Sequence, residues 1–517
     1  MLCQVFLGVL LAAFIFLVLR TAWLCDDAYI TFRTIDNLLN GHGLRWNTAE
    51  RVQTYTHPLW MLVLIPVQAL AGEVFYSTLL FSAAVSMATV AFLAFRIAVS
   101  HQGAILGLLL CILSTAFVEF STSGMENPLS HLLAALFLMV YFREPTTPKR
   151  FALLVCIASL SAVNRHDLIL LYLPMLLAEF MAMRSWRVAA WGALGLLPLI
   201  AWETFSVVYY GFFVPNTAYA KLGAGVPALP LMAQGLRYLV HSLRHDPLTP
   251  ATCAAAIVYA FYMRDRKSLG IACGTLLYLA YVVRIGGDFM AGRFLTTPFF
   301  LSVALILRAP WWTRRRCWLP AMLGVCAMGM TASHPPLLSG PRFGCDATPE
   351  MFLEGIQIRS ERLFSYPALG LFSACNDEDC VSLAVFRGRE RAGQRIRASG
   401  EPVVQTTIAA GVGPYHAGPK AHFVDIVGIC DPLLARLPIP DRNRWIIGHF
   451  RRNLPHGYLK SVLSGEIHIE DAKIAAYYAH LRTITRAPIW SRRRFFTILN
   501  MHLGKYDPLI AHLWETE

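Results

Sequence analysis

The sequence predicts an α-helical polytopic membrane protein with a C-terminal soluble α/β domain. Three observations carry this. Of the 517 residues 56% are hydrophobic and only 15% charged, and the mean hydropathy is +0.49, a balance foreign to a soluble globule of this length. Apolar runs near the length needed to cross a hydrocarbon core recur from residue 3 to about residue 333 and then stop. The remainder is polar enough to fold in water. The division falls at 332, giving a membrane domain over 1–332 and a soluble domain over 333–517.

The first span covers about Cys3 to Leu19, which lacks the basic start and small-residue cleavage site of a signal peptide and reads as a retained anchor. Further spans are expected at about 75–95, 103–119, 128–142, 151–163, 168–183, 188–208, 248–263, 268–284, 294–307 and 317–332, about eleven crossings in all. The short apolar stretch Leu59–Leu70 is expected to lie along the outer interface. That choice places Arg96, the Arg143/Lys149/Arg150 group, Arg184 with Arg187, Arg264/Arg266/Lys267 and Arg308 with Arg314–Arg316 all on the cytoplasmic side. The net charge of +13 is thus a topology signal and implies a lipid bilayer, not nucleic acid, as the partner. Most of the twelve cysteines sit in or beside spans. Cys345, Cys375, Cys380 and Cys430 lie in the exported domain, where two bridges of open pairing can form, and the NDED loop after Cys375 makes no convincing zinc pattern.

With this topology the unusual polar residues collect on one face. The first outer loop follows the first span at once and carries Asp26, Asp27, Tyr29, Arg33, Asn47, Glu50, Arg51, Tyr55 and His57. Later outer turns bring Glu126 and Asn127, then Arg165, His166 and Asp167, then Asn216, Tyr219 and Lys221, and last Arg284, Asp288 and Arg293. Paired acids at a membrane boundary are costly to desolvate and so mark a functional site. Each feature also has a plainer reading. Asp26 is suited to cap the helix suggested by Ile30, Arg33 and Asn37; Glu126 can simply pair with an arginine, and Arg165 with Asp167. The histidines lack metal-ligand spacing.

Taken together, the five loops suit a substrate with an anionic head at the interface and a tail in lipid, such as a polyprenyl-phosphate-linked sugar. Moving its sugar requires a carboxylate to activate an acceptor hydroxyl or to stabilise an oxocarbenium-like centre, which Asp26 and Asp27 supply. It also requires cations on the leaving phosphate, a task for Arg165, Lys221 and Arg293. Tyr29, Arg33, Tyr55, His57, Glu126, Asp167, Asn216 and Asp288 complete the candidate substrate-binding set. Asp26 and Asp27, with Asp288 or Glu126, are also oxygen ligands able to hold a divalent ion such as Mg, Mn or Ca.

The strings DDAYITFR, DNLLNGHGLRWN and YTHPLW closely resemble the first-loop signature of GT-C glycosyltransferases of the arabinofuranosyltransferase B type. GMENPLS, NRHD, VPNTAYAKLG, GGDFMAGRFL, DIVGICDPLLARLP and WIIGHFRRNLPHGY continue the likeness in the family's order. His166 departs from a usual proline and His57 from a common asparagine. The resemblance implies a GT-C-like fold and an inner-membrane transferase. It further implies a polyprenyl-phosphate arabinofuranose donor, a periplasmic active site and C-terminal domain, and a glycan or glycoprotein acceptor in the cell envelope. It places one or both first-loop acids at the reacting sugar, and some relatives hold a divalent metal there. A transporter or flippase of lipid-linked sugars is the competing reading, disfavoured because the charges gather at one face and no internal repeat is visible. A scaffold without chemistry leaves the five loops unexplained.

In the soluble domain PVVQTTIAAGV and AHFVDIVGI read as strands and DAKIAAYYAHL as a helix. Trp445 and Tyr458 offer aromatic faces for sugars, or alternatively dock the domain.

Overall fold

The computed structural model describes residues 2–348, 357–376 and 380–515. Nearly every apolar run expected to span forms a helix, but most of these helices are short. Among the described residues, three helices are long and apolar enough to cross a membrane: Cys3–Arg20, Phe75–Ile97 and His166–Met183. A fourth span arises if Trp186–Gly195 and Leu197–Tyr209, bent by 47° at their junction, act as one. Pro58–Ala71, His101–Leu113, Asn127–Tyr141, Leu248–Met263 and Arg293–Ile306 have 10–17 residues. A 14-residue helix such as Pro58–Ala71 rises about 21 Å against a hydrocarbon core of about 30 Å. The expectation of about eleven crossings, and with it the large membrane bundle of the GT-C-like fold class, is therefore corrected to three, or four with the bent pair.

The physical reason is that apolar windows run across helix breaks. The run 103–119 is split at Ser114, whose backbone is extended and whose hydroxyl accepts the Phe117 amide to start a new helix, Thr115–Glu119. The Cys3–Arg20 helix turns Val5, Val9 and Phe16 outward and packs Leu7, Phe14 and Val18 inward.

The expected α/β domain is also corrected. Among the described residues the only sheet has two parallel strands, β1 (Val403–Thr407) and β2 (Ala421–Asp425), paired from Val403↔Ala421 to Thr407↔Asp425. Parallel strands need a crossover, and here it carries the short helix Val412–Ala417. Helices such as Val381–Ser399 and Ala472–Arg486 make up most of the rest. Cys345 and Cys375 form a disulfide, whereas Cys380 and Cys430 are buried thiols. Residues 377–379 of the NDED segment lie outside the described residues.

The helix Asp26–Leu39 is the element that positions the site. Its N-cap is Cys25, in extended backbone, and Asp26 and Asp27 occupy the first turn, where carboxylates offset the helix dipole. The approach to it is pinned by main-chain bonds from Leu24 N to Leu369 O (3.1 Å) and from Cys25 N to Ser123 O (3.0 Å). Trp23 Nε1 donates to Glu119 O at 2.8 Å and Trp60 Nε1 to Gly124 O at 2.9 Å. Gly124, with φ +80°, must be glycine, because a Cβ there would stand 2.7 Å from that of Ala28.

Candidate functional site

The two first-loop acids are chemically unequal. Asp26 Oδ2 accepts the Gly411 amide (3.2 Å) and Oδ1 the Val412 amide (3.1 Å), and Arg389 Nη1 stands 3.6 Å from Oδ1. So Asp26 does not cap its own helix; it caps the crossover helix from a position 385 residues away. Asp27 makes no side-chain hydrogen bond or ion pair among the described residues. Burial raises its carboxyl above the ordinary aspartate value; the Lys221 charge opposes this and the Asp26 charge adds to it.

Both acids line a cavity of about 370 Å³ that they share with residues of the C-terminal region. Glu361, which the sequence reading missed, lies in the same wall with Arg359, Arg389 and His449. Its carboxyl is pushed up to about 7, first by burial, with Arg359 opposing and Asp27 and Asp26 adding. It begins the helix Glu361–Leu369 behind a Ser360 cap, and Arg359 Nε lies 3.4 Å away. A lone glutamate in a polar stretch carries no sequence signal that could have found it.

Across the wall formed by Phe289 and the 446–450 segment lies a second cavity of about 260 Å³, lined by Lys221, Arg165, Arg293, Asp167 and Asp288 among others. Glu126 organises this side. Its buried carboxylate meets Arg293 Nη2 at 3.0 Å, Arg165 Nη1 at 3.1 Å and His57 Nδ1 at 3.3 Å. Arg165 also forks onto Asp167 (2.8 and 2.9 Å), and Arg293 reaches Asp288 at 3.4 Å. His57 Nε2 is 2.8 Å from Thr31 Oγ1. The plain pairing readings for Glu126 and for Arg165 with Asp167 therefore describe real contacts. Lys221 makes no ion pair among the described residues, which leaves it the cation of this cavity without a bound carboxylate.

Other signature residues join the membrane part to the C-terminal part. Arg33 donates to Trp46 O and Ala421 O, both at 2.7 Å, and to Pro414 O. Asn216 Nδ2 donates to the carbonyls of Gly428 (2.9 Å), Ile429 (3.1 Å) and Asp431 (3.0 Å). Tyr29 packs edge-on against Tyr415, and Asn47 exchanges two hydrogen bonds with the Phe423 backbone. Tyr55 bonds Tyr210 through the hydroxyls at 2.7 Å. Tyr458 is buried, donates to Asp431 Oδ2 at 2.7 Å and packs on Tyr478; Trp445 packs on Phe450.

Two backbone amides and Arg389 already face the Asp26 oxygens, whereas the Asp27 carboxylate has no such partner among the described residues. Among the described residues no three His, Cys, Asp or Glu side chains are grouped as metal ligands. No step below is routed through a metal.

No family model matches the chain. It is similar to the terminal beta-(1->2)-arabinofuranosyltransferase of Mycobacterium tuberculosis, 28% identical over 324 residues that cover 54% of this chain and 52% of that protein. It is also similar to the protein of the same description from Corynebacterium glutamicum, 30% identical over 331 residues, 54% of this chain and 46% of that protein. The chain thus spans about half the length of the curated relatives it matches. Among solved structures, ArnT from Cupriavidus metallidurans bound to undecaprenyl phosphate aligns with 84% of this chain and 76% of its own. The TM-score is 0.45 and the identity 14%. Its apo state gives 0.43 and 13% over the same shares. The resemblance carried by the sequence motifs is borne out: the chain is related to arabinofuranosyltransferases, which are glycosyltransferases.

Proposed function

We propose that the chain is a polyprenyl-phosphate-dependent membrane glycosyltransferase. It moves an arabinofuranosyl group onto a cell-envelope glycan or glycoprotein at the periplasmic face of the inner membrane. The observation that carries the reading is the half-buried Asp27 carboxylate, without a side-chain partner among the described residues, on the wall of the cavity it shares with the C-terminal region and within the influence of the Lys221 charge. Asp27 takes the proton of the acceptor hydroxyl; the acceptor oxygen forms the new bond to the anomeric carbon. The bond from that carbon to phosphate breaks, and its electron pair leaves on the polyprenyl phosphate, held by Lys221. A carboxyl raised above its usual range is the stronger base, which assigns the proton to Asp27. Asp26, fixed by two amides, positions the crossover over the cavity. Arg165 and Arg293, already neutralised by Glu126, Asp167 and Asp288, shape the phosphate end more than they charge it.

The test is transfer from a synthetic polyprenyl-phosphoryl arabinose in detergent, run with several donor sugars. Asp27→Asn is expected to abolish turnover with the protein still folded, and Asp26→Asn to lower it strongly. Full activity in both variants sinks the assignment.

A further inference from the structure

A third cavity, also of about 260 Å³, takes no part in the chemistry above. It lies where the stretch 115–119 and the junction of the helices Ala228–His245 and Leu248–Met263 meet segments 291–295 and 358–363. Only a thin seam divides it from the Asp26/Asp27 cavity. Arg359 N donates to Phe289 O and Ala291 N to Arg359 O, both at 2.9 Å, and Arg359 lines both spaces.

The lining is mostly apolar, and the polar groups set into it hold little net charge. Glu119 is matched by Arg362 at 2.9 Å and Arg359 by Glu361 at 3.4 Å. Burial, with His245 adding, lowers His241 to about 4, and burial with Arg362 lowers His334, so both imidazoles are neutral near pH 7. Asp246 is buried; its Oδ2 accepts from the Ala116 amide (2.9 Å) and the Thr249 hydroxyl (2.6 Å), but its Oδ1 has no partner. Thr115 Oγ1 and His241 Nδ1 are likewise buried without a partner. Three residues of one cavity wall thus each carry a buried polar atom without a protein partner, a concentration that calls for an explanation. Leu295, Leu363 and Ala116 supply apolar wall between them.

We propose that this cavity binds one unit of an uncharged carbohydrate, its hydroxyls bonding Asp246, His241 and Thr115 and its C–H face lying on Leu295 and Leu363. A phosphate would face the Asp246 carboxylate with both nearby arginines already matched to glutamates. A metal ion would find no three grouped ligands among the described residues. A sugar brings donors, acceptors and an apolar face together. Resting on the transferase reading, the bound unit belongs to the acceptor chain, one seam away from the residue that receives the transferred group; sugar binding itself stands on the cavity alone.

The test is saturation-transfer NMR and competition binding of neutral arabino-oligosaccharides to the full chain in detergent. Wild type and Asp27→Asn should bind within about threefold of one another, Asp246→Asn about tenfold more weakly, and Thr115→Val, a near-isosteric change, measurably more weakly. In turnover, Asp246→Asn should raise KM for a long acceptor while leaving a single-sugar acceptor unaffected. No oligosaccharide binding by wild type, or binding unchanged in both Asp246→Asn and Thr115→Val, overturns the proposal. Thr115→Val keeps the test decisive if Asp246→Asn fails to fold. Binding without any sugar transfer would instead sink the transferase reading and leave this one standing.

Discussion

Two adjacent aspartates on one helical turn acquire different chemistry from what surrounds them. Asp26 receives two main-chain amides, whereas Asp27 receives burial and a nearby lysine charge. The Asp27 pKa is raised, so the base form is lost as pH falls through a range above that of an ordinary aspartate, and the rate should fall with it. Lys221 opposes that rise. Lys221→Met is therefore expected to move the acid limb of the kcat/KM profile to higher pH and to lower its plateau, while Lys221→Arg restores the limb. A limb that stays in place in Lys221→Met would detach the lysine from Asp27. Glu126 makes a second residue-scale case. Glu126→Gln leaves Arg165 and Arg293 short of a buried counter-charge, and removing one member of such a group costs about 3–5 kcal/mol. A thermal unfolding scan should register this as a large fall in Tm, and a wild-type Tm would show that Asp167 and Asp288 suffice.

The element that ties these residues together is the β1–β2 crossover, which lays the start of the helix Val412–Ala417 on Asp26. A Cβ at Gly411 would collide with the Asp26 carbonyl oxygen and stand 2.6 Å from its carboxylate. Gly411→Ala should force the crossover off the first-loop helix, cost about 1–3 kcal/mol as overpacking does, and depress turnover without touching a reacting atom; wild-type turnover would mean that the crossover does not seat the site. Paired acids after an apolar run were legible as a candidate site because local order alone puts them directly after the first apolar helix. Their division of labour was not, since it depends on amides 385 residues away. Asn216 and Arg33 were legible as unusual polar residues, yet the groups their nitrogens reach are carbonyl oxygens, which carry no side-chain identity to read. Helix positions were legible from hydropathy; span count was not, because Ser114 and the 47° bend interrupt apolar runs without interrupting their composition.

At the scale of the whole molecule, the three cavities cluster where the C-terminal region meets the ends of the short helices, and signature residues from four outer loops serve that junction. On the transferase reading proposed above, a donor with a lipid tail would enter from the membrane side past Lys221, and a hydrophilic acceptor from the side of the C-terminal region. Such a division works only if that region faces the compartment holding the acceptor, which makes sidedness the decisive property of the assembly. Glu470, with its side chain 72% exposed, is a suitable reporter. In a background where the exposed Cys3 and Cys273 are serine, Glu470→Cys should react with a membrane-impermeant maleimide in intact spheroplasts. Labelling only after permeabilisation would put the C-terminal region in the cytoplasm and overturn the periplasmic assignment of acceptor and active site together.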